Sequence, residues 1–295
     1  MRVDLLLAAG RTRSFEFFPP KTDQESSVLA ATLDDLERLR PSFVSVTYRA
    51  GAARARTFDL VTKIQRAGHF GAMAHVTCVG HRREEMRDVL VQYRDAGVES
   101  LMALAGDPLE GPADGGELAY ALDLVRLARE VGEFSIGVAA HPQGHPRSPD
   151  LASDRRHLAE KLREADFAIT QFFFAASEWR ALVDDLAALG VDRPVLPGVM
   201  PVTTLSAITR MAEMGATVPE QLAASLIDAH ARGGPAAARA AGVAAATRLC
   251  EELLDAGAPG LHFYTLNRST ATREIHDALF GPDDFRPPGG VGESP

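Results

Sequence analysis

The sequence is poor in the residues that mark secreted, membrane-bound or nucleic-acid-binding proteins. It holds 2 cysteines in 295 residues. Cys78 and Cys250 are far apart and in no CxxC spacing, which excludes a disulfide framework and a structural zinc site and suits a reducing cytoplasm. Basic residues are in deficit: 31 Lys and Arg against 40 Asp and Glu give a formal net charge of -9. Nucleic acid is therefore not an expected partner, because nonspecific binding needs a basic face that neutralises phosphates. The apolar run Leu5-Leu6-Leu7-Ala8-Ala9 is too short to span a bilayer and has neither the flanks nor the cleavage site of a signal peptide. The expectation is a cytoplasmic protein with no membrane partner. A Gly-x-Gly-x-x-Gly dinucleotide fingerprint is also missing.

What is present is enough to build a core. Apolar residues make up 46% and charged residues 24%, close to the globular average, so the chain needs no covalent staples. Short apolar runs bounded by turns recur at intervals of roughly thirty residues, and the segments between them have helical periodicity. The candidate strands are 14–18, 43–48, 72–78, 100–105, 135–140, 167–174, 195–199 and 261–266. Strands alternating with helices predict an α/β fold, a (β/α)8 TIM barrel. The interval between the last two strands is the longest and predicts extra helices there, including the Ala-rich stretch 235–254. Residues 1–280 are expected to form one catalytic domain, and 281–295, dense in Gly and Pro, a flexible tail.

In such a barrel chemistry sits at the C-terminal ends of the strands, and the polar residues of the candidate strands gather there. Glu16 interrupts Phe15-Glu16-Phe17-Phe18, and His75 interrupts Ala74-His75-Val76. Thr47 and Tyr48 end the second strand, and Asp107 follows the fourth. His141 and His145 follow the fifth, Gln171 lies in the sixth, and Tyr264, Asn267 and Arg268 end the eighth. Converging polar groups in an apolar cup predict a binding site. A carboxylate between phenylalanines costs several kcal/mol to bury ionised without partners, which favours function over a structural ion pair for Glu16. Asp107 reads equally as a turn residue, and His75 taken alone as a core histidine.

Read in order, these strand ends resemble the methylenetetrahydrofolate reductase family. The likeness runs through Ser14-Phe15-Glu16-Phe17-Phe18-Pro19-Pro20-Lys21, Ser45-Val46-Thr47-Tyr48, His75-Val76-Thr77-Cys78, Gly106-Asp107, 139–146, Ile169-Thr170-Gln171-Phe172-Phe173-Phe174, Pro197-Gly198-Val199-Met200-Pro201 and His262-Phe263-Tyr264-Thr265-Leu266-Asn267-Arg268. The resemblance implies an oxidoreductase that passes hydride from NADH or NADPH through FAD to methylenetetrahydrofolate, with ping-pong kinetics, in the supply of methyl groups for methionine. Glu16 would be the general acid that opens the folate's imidazolidine ring, and Asp107 would bind the pterin and adjust the flavin. Gln171, Tyr264, Leu266 and Arg268 would line the substrate side. Thr47, Tyr48, Ala50, His75, Gly106, Asp107, Tyr120, Ala121, His141, His145, Asp154 and Lys161 match positions that contact the flavin. Relatives commonly assemble, so a homo-oligomer is an expectation of the same kind. No metal is implied.

The chain departs from the family pattern on the flavin side. Ala105 stands where arginine is usual, Arg49 where glycine is common, His141 for tyrosine, Gln143 for glutamate and Leu205 for a frequent phenylalanine, and 158–166 is one residue short. Losing a charge-assisted contact to a diphosphate costs about 1.5 to 3 kcal/mol, so FAD is expected to be held loosely unless Arg49, Arg155 or Arg156 substitutes. Two other readings compete. One is a degenerate member that binds folate or flavin without turnover. The other is a metal-dependent barrel hydrolase using His75, Asp107, His141 and His145.

Overall fold

A computed structural model describes residues 1–48, 54–106, 117–213, 218–268 and 270–281. Ala50 and Asp107, and all but the first residue of the tail 281–295, lie outside these, as does Arg49. The strands are β1 (Thr12–Phe17), β2 (Phe43–Val46), β3 (Gly71–Thr77), β4 (Ser100–Leu104), β5 (Ser135–Ala140), β6 (Phe167–Thr170), β7 (Val195–Leu196), β8 (Gly198–Val199) and β9 (Gly260–Tyr264). All pair in parallel, in the order β7-β6-β5-β4-β3-β2-β1-β9-β8.

The two ends of that order are halves of one predicted strand, split by Pro197, which has no N–H for a ladder. The first half pairs with β6 and the second with β9, and the Pro197 carbonyl accepts from His262 N at 3.0 Å. One chain segment thus closes the sheet into a (β/α)8 barrel. Several predicted strands end earlier than expected, the second at Val46, before Thr47 and Tyr48. The sixth leaves its ladder at Thr170, before Gln171 and the three phenylalanines, and the last stops at Tyr264 because Leu266 turns into the left-handed region with φ 50.

The helices are α1 (Val3–Ala9), α2 (Asp23–Glu37), α3 (Arg54–Ala67), α4 (Arg83–Asp95), α5 (Ala121–Val131), α6 (Leu151–Glu164), α7 (Ala176–Ala188), α8 (Leu205–Glu213), α9 (Glu220–Asp255) and α10 (Thr270–Phe280). Several of their starts use side-chain caps. Thr22 accepts from Glu25 N, Asp150 from Ser153 N, and the Asp123 carboxylate from Ala119 N and Tyr120 N. The long interval before the last strand does hold the extra helices. Within α9 the backbone is non-helical at Gly233 and Gly234, and Pro235 begins the Ala-rich half where its fixed φ and missing N–H are tolerated.

Two apolar layers result. The outer faces of the strands, with Phe15, Phe17, Val44 and Val46, pack against the helices as the main core. Inside, Phe43, Met73, Met102, Phe167, Ile169 and Leu196 form a separate cluster with Val3 and Leu7 of α1. The early apolar run is therefore a plug for the N-terminal end of the barrel. Its free N–H groups are met by hydroxyls at the strand starts: Val3 N donates to Ser100 Oγ at 3.1 Å and Asp4 N to Ser135 Oγ at 2.9 Å. Among the described residues no helix is long and apolar enough to cross a membrane.

Candidate active site

Above the plug the interior turns polar. Alternation along β1 puts Ser14 and Glu16 on one face, and β9 brings His262 and Tyr264 beside them, in register Ser14 to His262 and Glu16 to Tyr264. Glu16 is 7% exposed. Its Oε2 lies 3.4 Å from His75 Nε2 and 3.6 Å from His262 Nε2. Both of those nitrogens are buried without a hydrogen-bond partner, as are Ser45 Oγ and Thr47 Oγ1. The other side of the His262 ring is held, with Nδ1 2.8 Å from Ser14 Oγ. Burial pushes the His75 imidazole below its ordinary value despite the Glu16 carboxylate beside it, and pushes the Tyr264 phenol well above its own.

Tyr264 donates to the Thr170 carbonyl at 2.6 Å. It can lie there because residue 198 is glycine: a Cβ at that position would collide with the Thr170 oxygen and stand 2.5 Å from the Tyr264 ring. Gln171 follows directly. Its Oε1 accepts from Phe172 N at 3.1 Å, which leaves the NH2 end of the amide to donate. Phe172 and Tyr264 join Met200 and Leu205 in an apolar cluster beside the mouth.

A second group forms after β5. The His141 and His145 rings meet edge to face at 4.6 Å. Asp154 Oδ1 accepts from His145 N at 3.0 Å, while Lys161 Nζ donates to the Ala139 carbonyl at 3.0 Å. Burial, then the charges of His145, Lys161 and Arg147, lower His141 to about 4, with only Asp154 opposing. Burial also lowers Lys161.

The candidates to replace the arginine missing at Ala105 resolve differently. Arg155 is buried and committed: it donates to Asp154, Asp185 and the carbonyls of His141 and Pro142. Arg156 caps onto Ser153 Oγ on the exposed helix face. Among the described residues a guanidinium does approach the segment after β4: Arg147 Nη2 lies 3.5 Å from the Gly106 carbonyl. Sequence reasoning missed it, since nothing distinguishes one loop arginine from another.

Tyr48 is placed after β2 with its hydroxyl 2.5 Å from His81 Nε2, and burial raises the phenol. Tyr120, 71% exposed, and Ala121 stand at the start of α5, where the Tyr120 carbonyl accepts from Cys78 Sγ. Leu266 and Arg268 are exposed on the turn after β9. Ser14 and His262 belong with these residues although neither was singled out. Each lies two positions before a residue that was, Glu16 and Tyr264, so period-two alternation was the signal. Among the described residues no three His, Cys, Asp or Glu side chains gather as a metal site; Asp107, one of the four residues of the hydrolase reading, lies outside them.

The sequence model of the family described as methylenetetrahydrofolate reductase matches residues 3–280. The 5,10-methylenetetrahydrofolate reductase of Pectobacterium carotovorum is 35% identical over 278 residues, covering 92% of each chain. That of Escherichia coli is 34% identical over 273 residues, covering 90% of each. Among solved structures, a Clostridium thermocellum protein described as binding two copies of 5-methyl-5,6,7,8-tetrahydrofolic acid superposes with a TM-score of 0.65 at 13% identity, over 95% of this chain and 97% of its own, a likeness of fold. With a family match across nearly its whole length and relatives of that identity, the chain belongs to the methylenetetrahydrofolate reductase family of oxidoreductases.

Proposed function

We propose that this protein reduces methylenetetrahydrofolate to methyltetrahydrofolate, with electrons from NADH or NADPH passed through bound FAD, in the supply of methyl groups for methionine. The observation that carries the reading is Glu16: a carboxyl buried at the C-terminal end of a barrel strand, faced by two imidazole nitrogens that have no other partner. FAD supplies the two-electron carrier between nicotinamide and folate.

The residues present fit that cofactor. At the mouth of a chain with net charge -9, Lys161 and Arg147 form a local cationic corner suited to a diphosphate, with the His141 and His145 rings beside them. Thr47 Oγ1 and His75 Nε2 offer unsatisfied buried polar atoms for a ring system. Tyr48, Gly106, Tyr120, Ala121 and Asp154 would complete the cofactor side, with Ala50 and Asp107 from outside the described residues.

Glu16 gives its proton to the bridging nitrogen of the folate, so that the imidazolidine ring opens to an iminium ready for hydride. The carboxylate that remains takes its next proton from water once the product has left, and the His262 ring, backed through Nδ1 by the Ser14 hydroxyl, stands beside it. Gln171 and Tyr264 orient the folate, and Leu266 and Arg268 line its approach. Asp107, next after Gly106 at the end of β4, would bind the pterin.

The test is the visible spectrum of the purified protein with added FAD, then anaerobic NADH, then methylenetetrahydrofolate. A flavin band that NADH bleaches and the folate restores is the expected result. Failure to bind FAD, with no folate-dependent oxidation of NADH or NADPH, would sink the reading in favour of a degenerate family member.

A further inference from the structure

The β1–β9 ladder ends at Glu16 and Tyr264, yet the two strand ends stay joined beyond it. Phe18 N donates to Asn267 Oδ1 at 2.8 Å, and Asn267 Nδ2 donates to the Phe18 carbonyl at 2.9 Å. One side-chain amide thus satisfies both main-chain groups of Phe18, as the next rung of a strand would. Thr265 Oγ1 donates to the Glu16 carbonyl at 2.6 Å and accepts from Asn267 N at 3.2 Å, and Thr32 Oγ1 donates to the Asn267 carbonyl at 3.2 Å. The clamp requires a left-handed turn, with φ 50 at Leu266 and φ 57 at Asn267.

Asparagine tolerates that conformation, so the turn at 267 taken alone needs no function. Leu266 does not share the tolerance, and its side chain is 39% exposed instead of buried in compensation. A strained non-glycine backbone persists where surrounding bonds over-determine it, and such places cluster at functional sites. We propose that Asn267 is a positioning residue: its amide fixes the end of β1, and with it the Glu16 carboxyl, against the segment Tyr264-Thr265-Leu266 that meets the folate. This rests on the reading of Glu16 as the acid.

Asn267→Gly separates the possibilities, because glycine keeps the left-handed turn and removes only the clamp. In the FAD-loaded protein, bleaching of the flavin band by NADH is expected to stay within about twofold, while its return with methylenetetrahydrofolate slows by about tenfold or more. Amide hydrogen exchange at Phe18 is expected to accelerate, a readout independent of turnover. Thr265→Val, which deletes the bond to the Glu16 carbonyl, is expected to show the same selective loss in smaller measure and serves if the first variant does not fold. Normal folate reduction in these variants, or both half-reactions falling in step with the melting temperature, would overturn the proposal. Normal folate reduction by Glu16→Gln would instead overturn the reading of the acid on which it rests.

Discussion

Ser14 Oγ and His262 Nδ1 lie 2.8 Å apart inside the barrel, and the opposite nitrogen of the same imidazole faces Glu16. A hydroxyl both donates and accepts, so the ring is able to carry its proton on either nitrogen without losing its partner. On the proposed reading this keeps an N–H available beside the carboxyl, on the inner face of β1 opposite Phe15 and Phe17, once its proton has gone to the folate.

Glu16→Gln keeps the size and polarity of that side chain and removes its acidity. Folate reduction is expected to fall by at least about a hundredfold, the range of a general acid, while reduction of bound flavin by NADH stays near the wild-type rate. Stopped-flow spectra of the two half-reactions decide it: an undiminished folate step returns Glu16 to a structural role.

The barrel was legible because its physics repeats. Apolar runs at regular spacing, with polar residues where each run ends, mark both the eight strand positions and the face that carries Glu16, His75 and Tyr264. Less was legible where one residue serves two ends of the sheet. Pro197 reads as a residue in a strand, and only closure of the sheet shows that it hands one segment from β6 to β9. The run Leu5-Leu6-Leu7 argues against a membrane span, but composition says nothing of the barrel end it fills. Asn267 and Arg147 act through contacts with residues 249 and 41 positions away, which no local pattern records.

Among the described residues Arg147 brings a cation to the Gly106 carbonyl, next after Ala105. Arg147→Ala is expected to weaken FAD by about tenfold to a hundredfold, the worth of one charge-assisted contact, and to leave riboflavin, which has no phosphate, bound as before. Fluorescence titration with the two flavins separates the cases. Equal affinity of variant and wild type for FAD would place the compensating charge elsewhere.

Gly198 admits the Tyr264 ring and the Thr170 carbonyl where a Cβ would stand. Gly198→Ala must displace both, since the Cβ would stand 2.3 Å from the Thr170 oxygen and 2.5 Å from the Tyr264 ring. A loss of about 1 to 3 kcal/mol of stability is expected from the overpacking, together with a raised KM for the folate as Tyr264 swings from its bond to Thr170. A urea midpoint and KM both unchanged would show that this corner of the barrel is looser than its geometry.

His141 links the cationic corner to stability. Unfolded, its imidazole titrates near 6.5; in the fold, burial and the charges of His145, Lys161 and Arg147 bring it to about 4. Between those values the unfolded chain binds a proton that the native state refuses, so stability is full above pH 6.5 and is lost as pH falls toward 4. The shift sets a ceiling of about 3 kcal/mol, which partial exposure of the ring reduces. His75, His81 and His276 are lowered as well and add slope of the same sign. The contribution of His141 is therefore the difference between wild type and His141→Gln, read from urea midpoints at about pH 7.5 and about pH 5. The variant is expected to lose less stability on acidification than the wild type. Equal losses would mean that the His141 ring is protonated in the fold as readily as in the unfolded chain, and that the corner carries one more positive charge than its geometry implies.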